Sequence, residues 1–392
     1  MADVYDFHEV ARLPAPGDNV AIASRRLEAG SEVVSGSERF RLSHTLLVGH
    51  RFARQPIPSG EVLLSWGLPF GNASRDISPG SYVCNARILE ALRGRNVDFD
   101  LPSEANFADK ITPYLLDEAR FRPGTQVERY EEPGTFLGYA RSAARGVGTR
   151  NFVVILGTSS RTAGYARALE DRLRGLASDC ANVDGIVAVA HTEGGGSEQP
   201  NNLDFVLRTL SGFVVHPNVG AVLAVDYGTE TVTNDMLRNY MADNGYPLSD
   251  VRHHFMSLDG RFQDNLARGE EWIRSSLPQV NAASRSEQSL EHVNVALQCG
   301  GSDAFSGISG NPLAAWVARE IIRHGGAASL AETDELIGAE AYVLQNVRDL
   351  ATARKFLATV AEFKERVAWH GHTAEGNPTG GNMFRGLYNI VL

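Results

Sequence analysis

The chain has 392 residues, 43% of them hydrophobic, and its 47 acids against 37 bases leave a formal charge of −10. That length exceeds one ordinary hydrophobic core and calls for two domains. The acidic balance excludes a nucleic-acid surface, which needs clustered Lys and Arg. No apolar run reaches the ~18 residues of a membrane span, and the start "MADVYDFHEVARLPAPGDN" lacks a basic-then-apolar leader. Cys84, Cys180 and Cys299 are odd in number and far apart. They point to a reducing, cytoplasmic setting rather than a disulfide framework.

Residues 18–88 read as short strands. "NVAIASRRL", "SEVVS", "FRLSHTLLV", "EVLLSWGLPFGNAS" and "SYVCNARI" are split by Gly, Pro and Asp turns. "EAGSE", "PSGE" and "SPGS" put glycine where a turn needs positive φ. This predicts a small all-β module. Residues 90–135 are polar and proline-bearing, and read as a linker packed over a neighbour, with one short helix near Ile111–Glu118.

From about residue 136 an apolar β-branched run repeatedly leads into a polar turn and an amphipathic helix. The runs are "NFVVILG", "GIVAVA", "VGAVLAV", "VNVALQ" and "GAASLA". Such alternation predicts one parallel sheet covered on both faces. Open parallel sheets bind ligands beyond the carboxyl ends of their strands. Those ends carry Thr158–Ser160, His191–Glu193, Asp226–Glu230, Cys299–Asp303 and Glu332–Glu335. His, Cys, Asp and Glu gathered on one edge suit a metal with an acidic substrate. Each piece also has a plain reading. Gly194–Gly196 lacks the Lys of a P-loop and the GxGxxG spacing, so it reads as a tight turn. A free cysteine is most often a small buried apolar residue. Ser302 and Asp303 also suit helix caps, and Glu332 and Glu335 also suit a first helical turn.

"HTEGGG", "HPNVGAVLAVDYGTE", "LQCGGSDAFSGISGNP", "LAETDELIGAE" and "EGNPTGGN" resemble the altronate/galactarate dehydratase family. "GTRN" at 148–151 resembles its Gly-x-Arg-Asn segment, and "NVAIASRRLEAGSEV" with "VGHRFARQPIPSGE" resembles its SAF-type β-clip module. The resemblance implies an α/β protein: a β-clip module over 1–89, a linker over 90–135 and a Rossmann-like parallel α/β domain over 136–392, with the family's C-terminal segment missing. It implies removal of water from a sugar acid to give a 2-keto-3-deoxy acid. The cofactor would be a divalent metal, Fe²⁺ first, with Mn²⁺ or Mg²⁺ as alternatives.

Carried onto this chain, the acid/base groups would be His50, His191 and Glu193. Metal ligands would be His191, Cys299, Glu332 and Glu335. Substrate would meet Arg150, Asn151, Gly300, Gly301, Ser302, Asp303, Asn377 and Asn382. The chain departs from the family pattern in three places: Gly195 stands for a cysteine, Tyr82, Cys84 and Asn85 occupy a His-rich strand, and Met383 follows "GGN" where a lysine is usual. The ending "FRGLYNIVL" predicts exposed apolar surface at Phe384–Leu392, covered by a second copy or a complementing C-terminal chain. The expected partner is a small sugar acid, with neither nucleic acid nor membrane. A non-catalytic sugar-acid-binding subunit and a nucleotide-binding α/β protein are the alternatives.

Overall fold

The computed structural model describes residues 3–110, 114–142, 144–373 and 380–388. The chain forms two compact units. One holds Met1–Arg129, Asn294–Arg323 and Ala327–Leu392, and the other holds Tyr130–Val293 with His324–Gly326.

The first unit opens with the expected β module. β1 (Ala11–Arg12), β2 (Val20–Ala23), β3 (Glu32–Ser35), β4 (Glu38–Arg41) and β5 (Arg51–Ala53) come first. β6 (Val62–Ser65), β7 (Leu68–Ala73), β8 (Tyr82–Val83), α1 (Ala86–Arg93) and β9 (Phe107–Asp109) follow. One sheet runs β1-β2-β5-β8, and another runs β9-β7-β6. The isolated bridges Leu27–Leu46 and Ile57–Ile77 repeat one turn design. Gly30, Gly60 and Gly80 take φ of +82°, +86° and +78°, as the turn sequences predict. At Gly80 a Cβ would also lie 2.3 Å from the Arg41 carbonyl oxygen, so only glycine fits there. Asn85 caps α1 by accepting from Ile88 N–H at 2.9 Å.

The expected linker is more structured than its composition suggests. β9 lies within it and pairs with β7, while residues 114–118 form no helix and 111–113 lie outside the described residues. Gly124 N–H donates to Val347 O at 2.9 Å, and Arg354 pairs with Glu118.

The second unit carries β10 (Thr135–Ala140), β11 (Phe152–Gly157), α2 (Ala163–Arg172), β12 (Gly185–Val189) and α3 (Leu203–Val215). β13 (Val219–Asp226), α4 (Asn234–Asp243), β14 (Arg252–Ser257), α5 (Phe262–Asn281) and β15 (Ser286–Ser289) complete it. The sheet order is β12-β11-β13-β14, and all three pairings are parallel. Val153 and Ile155 of β11 join Tyr165, Leu169 and Ile273 in one buried cluster. Val154 and Leu156 join Leu207, Leu210 and Leu237 in another. Successive strand residues point to opposite faces, so these two clusters account for the unbroken apolar run.

The last two predicted strands are not part of that sheet. β16 (Asn294–Leu297) and β17 (Ala327–Leu330) form a separate parallel pair in the first unit. α6 (Ala304–Ile308) and α7 (Gly310–Arg323) lie between them in sequence, and α8 (Glu340–Asn346), α9 (Leu350–Trp369) and α10 (Gly380–Phe384) follow. The single five-strand sheet expected from the sequence is therefore replaced by a four-stranded and a two-stranded one.

The expected exposure of the chain end is also corrected for its described part. Leu387 and Tyr388 are buried. The Tyr388 ring stacks on Phe70 at 5.6 Å, meets Phe107 edge-on, and lies 4.4 Å from the Arg51 guanidinium; its hydroxyl donates to Val83 O. Residues 389–392 lie outside the described residues. Tyr388→Ala should cost about 3–5 kcal/mol, and Tyr388→Phe about 1 kcal/mol through the lost hydrogen bond. Urea unfolding of the two variants against the parent checks both values.

Candidate functional site

Parallel strands deliver the chain to the same sheet edge. Leu297 of β16 is paired with Leu330 of β17, and Ala331 N–H continues the ladder to Leu297 O at 2.9 Å. The residues two beyond that pair, Cys299 and Glu332, therefore meet. The Cys299 N–H donates to Glu332 Oε2 at 2.8 Å. A short 3₁₀ turn at Asp334–Leu336 then folds Glu335 back. One ligand atom from each of Cys299, Glu332 and Glu335 lies within 4.8 Å of the other two, and all three residues are half-buried. Burial pushes the Glu335 carboxyl up from its ordinary value. A hydrogen bond with Cys299 offsets this in part, and the charges of Glu332 and Asp334 push it further up.

One thiol and two converging carboxylates form a mixed soft and hard donor set that suits a divalent transition cation. The Cys299 sulfur is 3.3 Å from the Ser302 hydroxyl, and Asn382 Nδ2 donates to Ser302 O at 2.7 Å. Gly300 and Gly301 are exposed, and an added Cβ on either would meet no atom within 4 Å among the described residues. Asp303 is a cap: it accepts from the Ser306 N–H at 2.9 Å and from its hydroxyl at 2.8 Å. Asn377 lies outside the described residues.

The other expected residues have structural partners. His50 is buried, with Nε2 2.9 Å from Phe384 O and Nδ1 2.5 Å from the Tyr82 hydroxyl. The carbonyl can only accept, so Nε2 carries the proton and Nδ1 accepts from Tyr82. Burial lowers its pKa to about 4. Both nitrogens are engaged with groups of the fold, and an acid or base role for His50 would have to displace one of them. The nearby Cys84 thiol is buried and pushed up to about 11, which makes it inert.

In the second unit His191 behaves similarly. Its Nε2 lies 2.9 Å from Gly157 O, and its Nδ1 accepts from Glu193 N–H at 3.2 Å. The imidazole joins the carboxyl ends of β11 and β12 through one hydrogen bond at each ring nitrogen. Glu193 is half-buried and accepts from the Thr192 hydroxyl at 3.3 Å.

Arg150 and Asn151 precede β11, so they sit at the amino end of that strand, the edge opposite to the polar loops. Asn151 is fully buried; its amide donates to Asn182 O and Val280 O, and its Oδ1 accepts from Arg141. Arg150 is exposed beside Asp184 at 3.8 Å.

A buried polar cluster at the carboxyl edge is larger than the sequence predicts. Asp226 accepts from Asn234 N–H and from the Ser257 hydroxyl, both at 2.7 Å. Glu230 accepts from the N–H groups of Tyr227 and Thr229 and from the Ser159 hydroxyl. The strand-end motifs "TSS" and "DYGTE" mark part of it. Asn234 and Ser257 carry no such signal, because one begins a helix and the other ends a polar edge strand.

Three family models match the chain in order. The altronate/galactarate dehydratase SAF domain covers residues 13–90. The D-galactarate dehydratase/altronate hydrolase second domain covers 138–281, and the D-galactarate/altronate dehydratase C-terminal domain covers 290–392. Altronate dehydratase of Escherichia coli (strain K12) is 29% identical over 374 residues, 95% of this chain and 70% of that protein. Altronate dehydratase of Bacillus subtilis (strain 168) is 26% identical over 376 residues, again 95% and 70%. The (2R)-sulfolactate sulfo-lyase subunit beta of Chromohalobacter salexigens is 26% identical over 258 residues, 65% of this chain and 62% of that one.

The buried His50 makes stability depend on pH. An unfolded histidine titrates near ~6.5, whereas His50 in the fold titrates at about 4. Between those values only the unfolded chain takes up the proton, so stability falls as pH falls, by about 3 kcal/mol over the window. Above it both states are neutral and the term vanishes. His50→Gln should remove this term: between about pH 7 and about pH 4.5 the parent should lose about 2–3 kcal/mol more than the variant in urea unfolding.

Proposed function

Because the chain belongs to the altronate/galactarate dehydratase family, we propose that it is a hydro-lyase that removes water from a sugar acid to give a 2-keto-3-deoxy acid. The observation that carries this reading is the convergence of Cys299, Glu332 and Glu335 at the shared edge of β16 and β17. Those three residues would hold a divalent cation, Fe²⁺ before Mn²⁺ or Mg²⁺ because of the thiol.

The reaction sets two demands. The C2 hydrogen of a hydroxy acid is barely acidic, so its removal needs a base and a place for the negative charge that gathers on the carboxylate. The C3 hydroxyl must leave with a proton, as water, and the resulting enol then becomes the 2-keto product. A cation at this site supplies Lewis-acid stabilisation of that charge, worth several kcal/mol. Around it the chain offers exposed backbone at Gly300–Gly301 for close approach by a polyhydroxylated acid. The Ser302 hydroxyl lies beside the Cys299 sulfur, and Asn382 fixes the Ser302 carbonyl. Glu332 keeps its place by accepting the Cys299 N–H, so one of its oxygens is already oriented.

No helix of the described residues is long and apolar enough to cross a membrane, and we place the activity in the cytoplasm. One relative is named as a subunit, which supports assembly with a second copy or a complementing chain.

The test incubates Fe²⁺-, Mn²⁺- or Mg²⁺-loaded protein with a panel of aldonates and aldarates, plus sulfolactate, and detects the 2-keto-3-deoxy acid as a carbonyl adduct. Product should vanish with chelator and return with metal. Cys299→Ser and Glu335→Gln should each weaken metal binding and lower kcat/KM by about 100-fold or more. Turnover of sulfolactate alone would replace the leaving water with sulfite. Full activity in both variants would reject this site.

A further inference from the structure

A cavity of about 200 Å³ opens in the second unit, lined by Arg141, Arg145, Gly220, Asp250, Arg252 and Gln279 among others. Gly220 and Arg252 lie at the amino ends of β13 and β14. The cavity is thus at the sheet edge opposite to His191 and the buried Asp226 cluster.

Arg145 is buried and donates only to carbonyl groups. Its Nε reaches Val215 O at 3.0 Å, Nη1 reaches Asp250 O at 3.2 Å, and Nη2 reaches His216 O and Val219 O at 2.8 and 2.6 Å. It closes the C-terminal end of α3, where carbonyls lack partners within the helix. Arg141 donates from Nε to Pro217 O at 2.9 Å and from Nη2 to Asn151 Oδ1 at 2.8 Å. Arg252 donates from Nε to the Ser276 hydroxyl at 3.0 Å. Nη1 of Arg141 and both Nη atoms of Arg252 have no acceptor among the described residues, and none of the three arginines forms an ion pair there.

Three guanidinium groups thus face one space with a single carboxylate, Asp250, on its wall. Like charges gathered beside buried surface are costly unless an opposite charge joins them. Burial and then the charge of Arg141 lower the pKa of Arg145 to about 10, and burial lowers that of Arg141.

We propose that this cavity binds a small dianion through a phosphate group, either free phosphate or a small phosphate ester. Three positive charges against one negative leave two to be matched, the charge of a phosphate dianion. Guanidinium forks match phosphate oxygens in pairs. The volume also leaves room for a short organic part beside the phosphate.

The test is calorimetric titration of the full chain with inorganic phosphate and with glycerol 3-phosphate, ionic strength being held constant with chloride. Saturable binding at one site is expected for either probe, and tighter binding of glycerol 3-phosphate would assign an ester. Arg252→Met should weaken binding at least about 10-fold, and Arg252→Lys should restore part of it. Gln279 is exposed on α5, so Gln279→Glu should keep the fold, checked by circular dichroism, yet weaken binding through its charge. No saturable binding of either probe would overturn the proposal. So would equal affinity in the parent, Arg252→Met and Gln279→Glu proteins, or displacement of phosphate by malonate on equal terms.

Discussion

The parallel register between β16 and β17 is the constraint on which the acidic cluster depends. An antiparallel pair would carry Cys299 and Glu332 to opposite ends. A slip of one residue would turn the side chains of one strand to the other face. The pair gets little help from burial, since its residues are half-buried or exposed. It is held instead by its backbone ladder, by α7 packing on both strands, and by the carboxylate that accepts the Cys299 N–H. That last bond has two effects. It extends the pairing beyond the strands, and it brings a second negative group beside Glu335, whose carboxyl is already pushed up by burial. The same interaction that closes the edge thus gathers two carboxylates beside the thiol.

Elsewhere the fold uses polar residues as clamps. His50 holds the backbone of α10 to β8 through Tyr82, and His191 joins two strand ends. Asn151 bonds three separate segments from the buried amino end of β11. An imidazole can donate from one nitrogen while accepting at the other. That makes it as good a strut as a proton carrier, and residue type alone does not separate the two roles. What distinguishes the strut is that groups of the fold, backbone or side chain, occupy both nitrogens.

The legible parts of the sequence follow from burial. β11, β12 and β13 stand out because the parallel sheet presses apolar residues on both faces. β14, "RHHFMS", lies at the sheet edge and is mostly exposed, so no apolar run marks it; β15, "SEQS", is polar for the same reason. The division into two sheets is not legible, because strands of either sheet carry similar apolar runs. The convergence of Cys299, Glu332 and Glu335 is legible because parallel strands end on one edge, a rule that holds for two strands as well as for five. Arg150 and Asn151 precede their strand, so the rule of strand ends places them at the other edge, and only the resemblance points to them. The burial of Tyr388 was hidden because its partners Arg51, Phe70 and Phe107 lie far back in the chain.

What sets the cavity arginines apart is that three of them line one space. Most arginines near a carboxylate use it, as Arg172 and Arg274 do with Glu270 and Arg285 does with Asp184. Acids exceed bases by ten in this sequence, yet other guanidinium groups, such as those of Arg41 and Arg93, also donate to carbonyls with no ion pair among the described residues. Around Arg141, Arg145 and Arg252 the fold supplies carbonyls, an amide oxygen and the Ser276 hydroxyl. These neutral acceptors orient the side chains without cancelling their charge. A net negative chain also repels small anions at long range, so any anion it retains must be held by local charge such as this. Three arginines against the one carboxylate of Asp250 therefore make a stronger case for an anionic ligand in an acidic protein than they would on a basic surface.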